Sequence, residues 1–278
     1  MKFYAALLEL IKNTSTNLPE DINRKLKSYA GDSPTFSIIN ETLCISRQGE
    51  VPICQDTGFP YFYIKIPYSQ SAYIQLIQEA ISRALIEATT QGFLRPNTVH
   101  SLTNQNYGNN LGEGLPFIDW EFTLQGEIEC HLLLKGGGSE NASGQYSLPL
   151  SEIGAGRDIN GIINTVLYHL HKIQGQGCAP GIIGVAIGGD RAMSMKLAKK
   201  QLFRSLEDIN SNSELLNIEQ EILSRANQLN IGAMGLGGEH TLLGVKAAFA
   251  ARHPASFFVS IAYLCWVARR GKCLLNIN

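Results

Sequence analysis

Three cysteines stand in short segments whose flanking residues are typical of a binding site. Cys54 lies in Pro-Ile-Cys-Gln-Asp-Thr-Gly, Cys178 lies in Gly-Cys-Ala-Pro-Gly, and Cys265 precedes Trp266 in Leu-Cys-Trp. Thiolates in loops can converge on a metal, whereas thiols inside regular elements usually pack as small apolar side chains. Taken singly, each cysteine is also compatible with simple burial. The turn-forming surroundings of Cys54 and Cys178 favour the metal interpretation.

Glycine is concentrated beside polar groups in three stretches, which are 135–141, 175–189 and 232–238. Such runs let the backbone approach a ligand closely and leave amide groups pointing at an anion. A nucleotide loop is one alternative, but the sequence has no G-x-x-x-x-G-K-[ST] motif. Gly154-Ala155-Gly156 also lacks the third glycine of the dinucleotide fingerprint. The glycines therefore predict close backbone approach to a ligand without a phosphate loop.

Composition and charge exclude several classes of partner. The hydrophobic content of 44% is that of a folded protein with a substantial core, and the net charge of −1 offers no attraction to nucleic acid or an anionic membrane. No stretch approaches the roughly 20 apolar residues of a membrane helix. Glu9 interrupts the apolar N-terminal run, which disfavours a signal peptide. We expect a cytoplasmic protein that binds neither nucleic acid nor membrane.

The elements that must position these segments alternate between helical and strand patterns, which predicts a mixed α/β fold. Helices are expected over 3–12, 19–29, 33–47, 71–90, 160–173, 193–206 and 213–229. Strands are expected over 61–66, 118–124, 128–134, 181–187, 241–250 and 257–267. The Gln-Gly turn between the second and third strands suggests a hairpin. We expect one large domain over 1–278, with a helical N-terminal lobe over 1–50 and a mixed sheet flanked by helices.

Seven segments occur in the order and at the spacing found in one enzyme family. They are VPICQDTG, LRPN, KGGGSEN, GCAPGIIGVAIGGD, GLGGEHTLLGVK, RHPAS and CWVARR. From about residue 5 to the C-terminus, the chain resembles the alpha subunit, or N-terminal half, of class I fumarases and of L-tartrate dehydratase. The most specific pieces are the Cys-Gln-Asp-Thr-Gly and Lys-Gly-Gly-Gly segments.

The resemblance implies a [4Fe–4S] cluster as cofactor. In that family three cysteines hold the cluster and its fourth iron has no protein ligand; by position the three match Cys54, Cys178 and Cys265. An iron with an open site can act as a Lewis acid on a substrate hydroxyl. The cysteines outside the motifs, which we expect only to pack, are Cys44, Cys130 and Cys273.

Removal of water also needs a base for a weakly acidic C–H proton and stabilisation of the charge that develops. The resemblance implies catalytic roles for Asp56, two residues after a cysteine, and for His253 in Arg-His-Pro. The alternative for Asp56 is a turn residue that caps its own backbone in Asp-Thr-Gly. The alternative for His253 is an ordinary surface histidine.

Substrate carboxylates require cations or amide donors. The resemblance implies that Gln55 and Arg95 contact the substrate, and Gly137 and Gly138 could offer backbone amides. A guanidinium can bind a carboxylate through two parallel hydrogen bonds, so Arg95 is chemically suited to this role. Its alternative is a solvated surface arginine.

Reversible hydration of fumarate to malate is the activity that we favour. Dehydration of L-tartrate to oxaloacetate is the alternative within the family, because KGGGSEN is closer to the fumarase pattern and the C-terminal stretch is closer to the tartrate enzyme. An iron–sulfur redox sensor would need an output surface, such as a basic DNA-binding helix, which the sequence lacks. A structural zinc site fits poorly, because the three cysteines are widely dispersed.

The family also implies a partner. A second module, fused at the C-terminus or supplied as a separate beta subunit, contributes further substrate-binding and catalytic groups. We expect a separate beta subunit in a heterodimer or a dimer of heterodimers, acting on a small dicarboxylate. The isolated chain should bind a cluster and show little or no turnover.

Overall fold

The structure is a computed structural model that describes residues 2–277. Contacts divide the chain into two compact units that interleave along the sequence. Unit 1 comprises Met1–Glu20, Ser37–Gly137 and Arg269–Asn278, and unit 2 comprises Asp21–Phe36 and Gly138–Ala268. The expected mixed α/β class is confirmed, while the single domain over 1–278 stays a prediction.

The helices and strands alternate along most of the chain. The helices are α1 (Tyr4–Thr16), α2 (Glu20–Ser28), α3 (Pro34–Gly49), α4 (Ile74–Thr90), α5 (Gly137–Asn141), α6 (Ile159–Ile173), α7 (Arg191–Gln201) and α8 (Ser213–Asn227). The strands are β1 (Phe59–Pro67), β2 (Phe117–Thr123), β3 (Glu129–Lys135), β4 (Gly144–Ser147), β5 (Gly181–Gly188), β6 (Leu242–Ala250), β7 (Phe258–Leu264) and β8 (Arg270–Leu274).

The sheet of unit 1 has the strand order β2-β1-β3-β8. β1 runs parallel to β2 and antiparallel to β3, which in turn pairs antiparallel with β8. The predicted hairpin between the strands now named β2 and β3 is therefore wrong, because β1 lies between them. The physical reason is that β1 is buried along most of its length, on both faces, and such a strand is placed inside a sheet.

One face of this sheet is covered by α1 and α4. Phe62 and Ile64 of β1 and Leu132 of β3 are fully buried in this core, against Ile81 and Leu85 of α4. Burying each such side chain contributes about 1.5–3 kcal/mol relative to leaving it in water. The helical stripe expected within 71–90 is thus the face that holds α4 on the sheet.

The sheet of unit 2 has the order β4-β7-β5-β6, in which β5 and β6 are parallel and β7 is antiparallel to β5. Alternate residues of β5 meet different helices. Ile183 and Val185 join the core that α6 and α8 share, whereas Gly184 lies against the carbonyl of Ala198 in α7. Helices therefore flank this sheet on both faces.

Short polar side chains set where three helices of unit 2 begin. Asp158, Asp190 and Asn212 each precede a helix and accept a hydrogen bond from the backbone N–H three residues later, at 2.7, 2.8 and 3.0 Å. Each bond satisfies an amide that has no partner inside its helix. The helix expected over 193–206 ends earlier, at Gln201, and β4, α5 and β8 are additional elements.

No helix within residues 2–277 combines the length and the apolar character needed to cross a membrane.

Candidate functional site

The carboxylate of Asp56 is held by a backbone amide on each of its oxygens. Oδ1 accepts a hydrogen bond from the N–H of Gly58 at 2.9 Å, and Oδ2 accepts one from the N–H of Gly137 at 2.8 Å. The first bond is the local turn expected of Asp-Thr-Gly. The second joins segments 81 residues apart. The side chain remains exposed, so its orientation is fixed while further lone pairs stay accessible.

Glycine is required at two positions beside this carboxylate. A Cβ on Gly136 would lie 2.8 Å from Oδ2 of Asp56. A Cβ on Gly58 would lie 2.7 Å from the carbonyl carbon of Leu134, and Gly58 has a φ of +85°. The loop and the end of β3 therefore approach through their backbones. This accounts for glycine in both of the most specific segments.

Thr57, next to Asp56, joins its loop to the Leu-Arg-Pro-Asn segment. Its buried Oγ1 accepts hydrogen bonds from the backbone N–H of Arg95 at 2.9 Å and from Nδ2 of Asn97 at 3.0 Å. Asn110 completes the arrangement, since its side chain accepts from the N–H of Asn97 and donates to the carbonyl of Arg95. The backbone of Arg95 is thereby fixed, and its side chain is exposed.

The predicted site residues did not include Thr57, Asn97 or Asn110. Two of them stand inside the segments that carried the resemblance, directly beside or near predicted residues. For Thr57 and Asn110 the signal is a short polar residue that the fold buries, because such a group needs partners. Asn97 is exposed, so burial gives no such signal for it. Pattern alone does not reveal which threonine or asparagine is buried.

The other predicted residues of this loop are Cys54 and Gln55. Cys54 is partly buried and follows Ile53, whose N–H donates to the carbonyl of Ser15 in α1 at 3.2 Å. Gln55 is exposed, like Asp56. Unit 1 thus brings together Cys54, Gln55, Asp56 and Arg95 on one hydrogen-bonded frame.

Unit 2 brings Cys178 and Cys265 to one end of its sheet. Cys178 precedes β5 and Cys265 follows β7, and these two strands are antiparallel neighbours. The N–H of Trp266 donates to the carbonyl of Cys178 at 3.3 Å, which ties the two segments together. Both thiols are partly exposed. Cys178 has a φ of 54°, a left-handed conformation that its own tight turn imposes.

Tyr263 fills the space beside both cysteines. A Cβ on Gly177 or on Gly181 would collide with its ring, so glycine is required on either side of Cys178. Burial raises the pKa of the Tyr263 phenol above its usual range, and charge on Cys265 and Cys178 raises this pKa further. The phenol is therefore protonated at neutral pH.

The KGGGSEN segment also supports Cys265. Oγ of Ser139, which is buried, accepts a hydrogen bond from the N–H of Cys265 at 3.1 Å. Gly138 lies one residue before Ser139 and is exposed in the first turn of α5. Of the two predicted amide donors, the structure engages that of Gly137 with Asp56.

His253 lies apart from the cysteines of unit 2. It is exposed in the turn between β6 and β7, where its Nδ1 accepts a hydrogen bond from the N–H of Ala255 at 3.1 Å. Cys265 follows the other end of β7, and a strand of this length extends roughly 20 Å. Unit 2 therefore does not bring His253 to Cys178 and Cys265.

The cysteines predicted as ligands are divided between the units, with Cys54 in unit 1 and the other two in unit 2. Within the described residues, no three His, Cys, Asp or Glu side chains are grouped so that they could hold a metal ion. Cys44 is exposed and Cys130 is fully buried in the core of unit 1.

Replacing Thr57 by valine should destabilise the protein by about 1–3 kcal/mol, because the N–H of Arg95 and the amide of Asn97 lose a buried acceptor. Urea denaturation measures the change. Thr57→Ser is the matched control; it keeps the oxygen and removes one methyl group, at a cost of about 0.8 kcal/mol. A valine variant as stable as the serine variant would contradict the role assigned to the hydroxyl.

Comparison with known proteins gives a consistent set of relatives. The fumarate hydratase (Fumerase) family model matches residues 5–273. A Geobacillus stearothermophilus protein provisionally named fumarate hydratase class I is 48% identical over 279 residues, covering 97% of this chain and 54% of that protein. A Methanocaldococcus jannaschii protein provisionally named L(+)-tartrate dehydratase subunit alpha is 39% identical over 280 residues, covering 98% and 96%. The L(+)-tartrate dehydratase subunit alpha of Escherichia coli O157:H7 is 29% identical over 283 residues, covering 98% and 91%.

The chain therefore spans about half the length of the first relative, 54%, and most of the two alpha subunits, 96% and 91%. The family match covers nearly the whole sequence and includes each segment from which the resemblance was inferred. This chain belongs to the fumarate hydratase (Fumerase) family.

Proposed function

We propose that this chain is the cluster-carrying part of a [4Fe–4S]-dependent hydro-lyase that adds water reversibly to a small unsaturated dicarboxylate. The observation that carries the proposal is the Asp56 carboxylate, which amides of Gly58 and Gly137 orient two residues after Cys54. An exposed carboxylate fixed in this way suits proton transfer to and from a substrate carbon. Membership of the fumarate hydratase family supports the same reaction.

The proposed ligands of the cluster are Cys54, Cys178 and Cys265. Thiolates are the donors that iron–sulfur clusters use. Cys178 and Cys265 are partly exposed, and their backbones are tied together beside a glycine-lined turn, which fits a pair of ligands better than two core thiols. When bound, the cluster would supply Lewis-acid chemistry at a substrate oxygen.

The chain's own residues would bind the substrate and move its proton. Asp56 would accept the proton from the carbon next to a carboxylate and return it in the reverse direction. Arg95, whose backbone Thr57 holds, would clamp a carboxylate through two hydrogen bonds. Gln55 would donate from its exposed amide. Because Gly137 already donates to Asp56, Gly138 is the backbone amide that we assign to the substrate.

His253 is the second proposed catalytic group. Its position at the far end of β7 from Cys265 means that it would not act beside the thiols of its own unit. An exposed imidazole has one nitrogen that can donate and one that can accept a proton, which suits it to acid–base catalysis.

Fumarate and malate are the proposed substrate pair, and L-tartrate is the alternative. The KGGGSEN segment favours the first, as does the greater identity to the relative named as a fumarate hydratase, 48% against 39%. The names of the other relatives support a partner, since each is called an alpha subunit. We propose a separate beta subunit and a cytoplasmic location.

Cys178→Ser should abolish cluster binding, because a serine hydroxyl is not a thiolate donor at neutral pH. Anaerobic iron and sulfide analysis, together with electron paramagnetic resonance of the reduced protein, measures the loss. Cys44→Ser is the matched control and should retain the cluster, since Cys44 is exposed and outside the motifs. An unchanged cluster in the Cys178 variant, or zinc in place of iron, would refute the ligand assignment.

Asp56→Asn should lower kcat by about 10²–10⁴-fold, the usual contribution of a positioned acid or base, with iron and sulfide content unchanged. Asparagine preserves the size of the side chain and the acceptor for one of the two backbone amides, and the iron and sulfide content reports whether the loop keeps its shape. His253→Asn should likewise lower kcat while the iron and sulfide content stays unchanged. Wild-type turnover in either variant would remove that residue from the mechanism.

The reconstituted pair of chains should dehydrate malate faster than L-tartrate, and this chain alone should show little or no turnover of either. Anaerobic assays with both substrates, with and without the candidate beta subunit, make the comparison. Faster turnover of L-tartrate would replace the proposed substrate. Substantial turnover by this chain alone would contradict the need for a partner.

A further inference from the structure

Cys130 and Cys273 face each other across two strands of unit 1. They are direct partners in the antiparallel register of β3 and β8. Two positions along, the N–H of Leu275 donates to the carbonyl of Ile128 at 2.9 Å, which identifies the hydrogen-bonded type of pair at this alternation. The Cα atoms of such pairs are about 5.5 Å apart. That separation lies inside the range of protein disulfides.

The two thiols also contact each other directly. Each is hydrogen-bonded to the other, and this bond lowers the pKa of the Cys273 thiol while it raises, together with burial, that of Cys130. A thiolate is the form that reacts with oxidants, so the chemistry of the pair begins at Cys273.

Access to solvent also indicates that Cys273 reacts before Cys130. Cys130 is fully buried, whereas Cys273 is partly exposed. Cys273 lines a groove of about 350 Å³ together with Leu10 and Thr14 of α1 and Gly271 of β8. A small oxidant can reach Cys273 through this groove, and Cys130 is placed behind it.

We propose that Cys130 and Cys273 form a modification site, a dithiol that hydrogen peroxide oxidises to a cross-strand disulfide. The Cys273 sulfur attacks one oxygen of the peroxide, the O–O bond breaks, and the products are a sulfenic acid and water. The sulfur of Cys130 then attacks the Cys273 sulfur; the S–S bond forms and the sulfenic oxygen leaves as water with the Cys130 proton. In total, two thiols and one peroxide give one disulfide and two waters.

The site is separate from the cysteines proposed as cluster ligands, and its test does not depend on activity. The six cysteines fall in six different tryptic peptides, so each can be followed by mass spectrometry. The full chain, purified anaerobically with its cofactor content measured, is treated with stoichiometric hydrogen peroxide, quenched in acid, alkylated and digested. We expect the peptide containing Cys130 to be linked to the peptide that begins at Cys273, at a mass lower by two hydrogen atoms.

Two variants complete the test. In Cys130→Ser, Cys273 should stop at the sulfenic acid and be trapped by dimedone; in Cys44→Ser, the link should form as in the wild type. Peroxide that oxidises Cys44 while Cys130 and Cys273 remain fully alkylatable would overturn the proposal. So would a disulfide that joins Cys273 to any cysteine other than Cys130. The wild-type peptide map decides the matter even if the buried serine prevents folding.

Discussion

The part of the site in unit 1 depends on the hydrogen bonds that the hydroxyl of Thr57 accepts. Its oxygen accepts hydrogen bonds from residues 38 and 40 positions along the chain, and it is buried at a point where water cannot replace them. The neighbouring residue, Asp56, is tied in turn to Gly137. Three distant segments therefore meet through two adjacent polar side chains. An exposed carboxylate and an exposed guanidinium gain defined positions from this frame without being buried themselves.

In unit 2 the corresponding constraint is steric. The ring of Tyr263 occupies the volume that side chains at Gly177 and Gly181 would need, and Cys178 between them adopts a left-handed conformation in its tight turn. These contacts fix the backbones that carry Cys178 and Cys265. Binding to groups that are already ordered costs less conformational entropy than binding that must first order a loop. Glycine in these motifs thus serves the packing as much as the approach of a ligand.

The sequence allowed the mixed α/β class and most long elements to be predicted, because apolar periodicity in α4, α6 and β5 is strong. It failed for strand pairing, since the short turn between β2 and β3 suggested a hairpin and the burial of β1 was invisible. Asp56, Arg95 and the cysteines could be named from motifs, and the bonds that fix Asp56 and Arg95 could not. Those bonds come from Thr57 and Gly137, whose roles depend on which distant segments the fold brings together. The separation of His253 from Cys265 likewise followed only from the direction of β7.

The interleaved course of the chain has a consequence for biosynthesis. Residues 138–268 make up most of unit 2 without interruption, whereas unit 1 is assembled from segments that lie before and after them in the sequence. Its sheet is completed by β8, which follows residues 138–268 in the sequence and pairs with β3. On a ribosome, unit 1 is therefore started before residues 138–268 are made and completed only after them, and β3 keeps an unpaired edge until β8 has been synthesised. Such an edge is open to association with other chains, so this protein should depend on chaperones most during that interval.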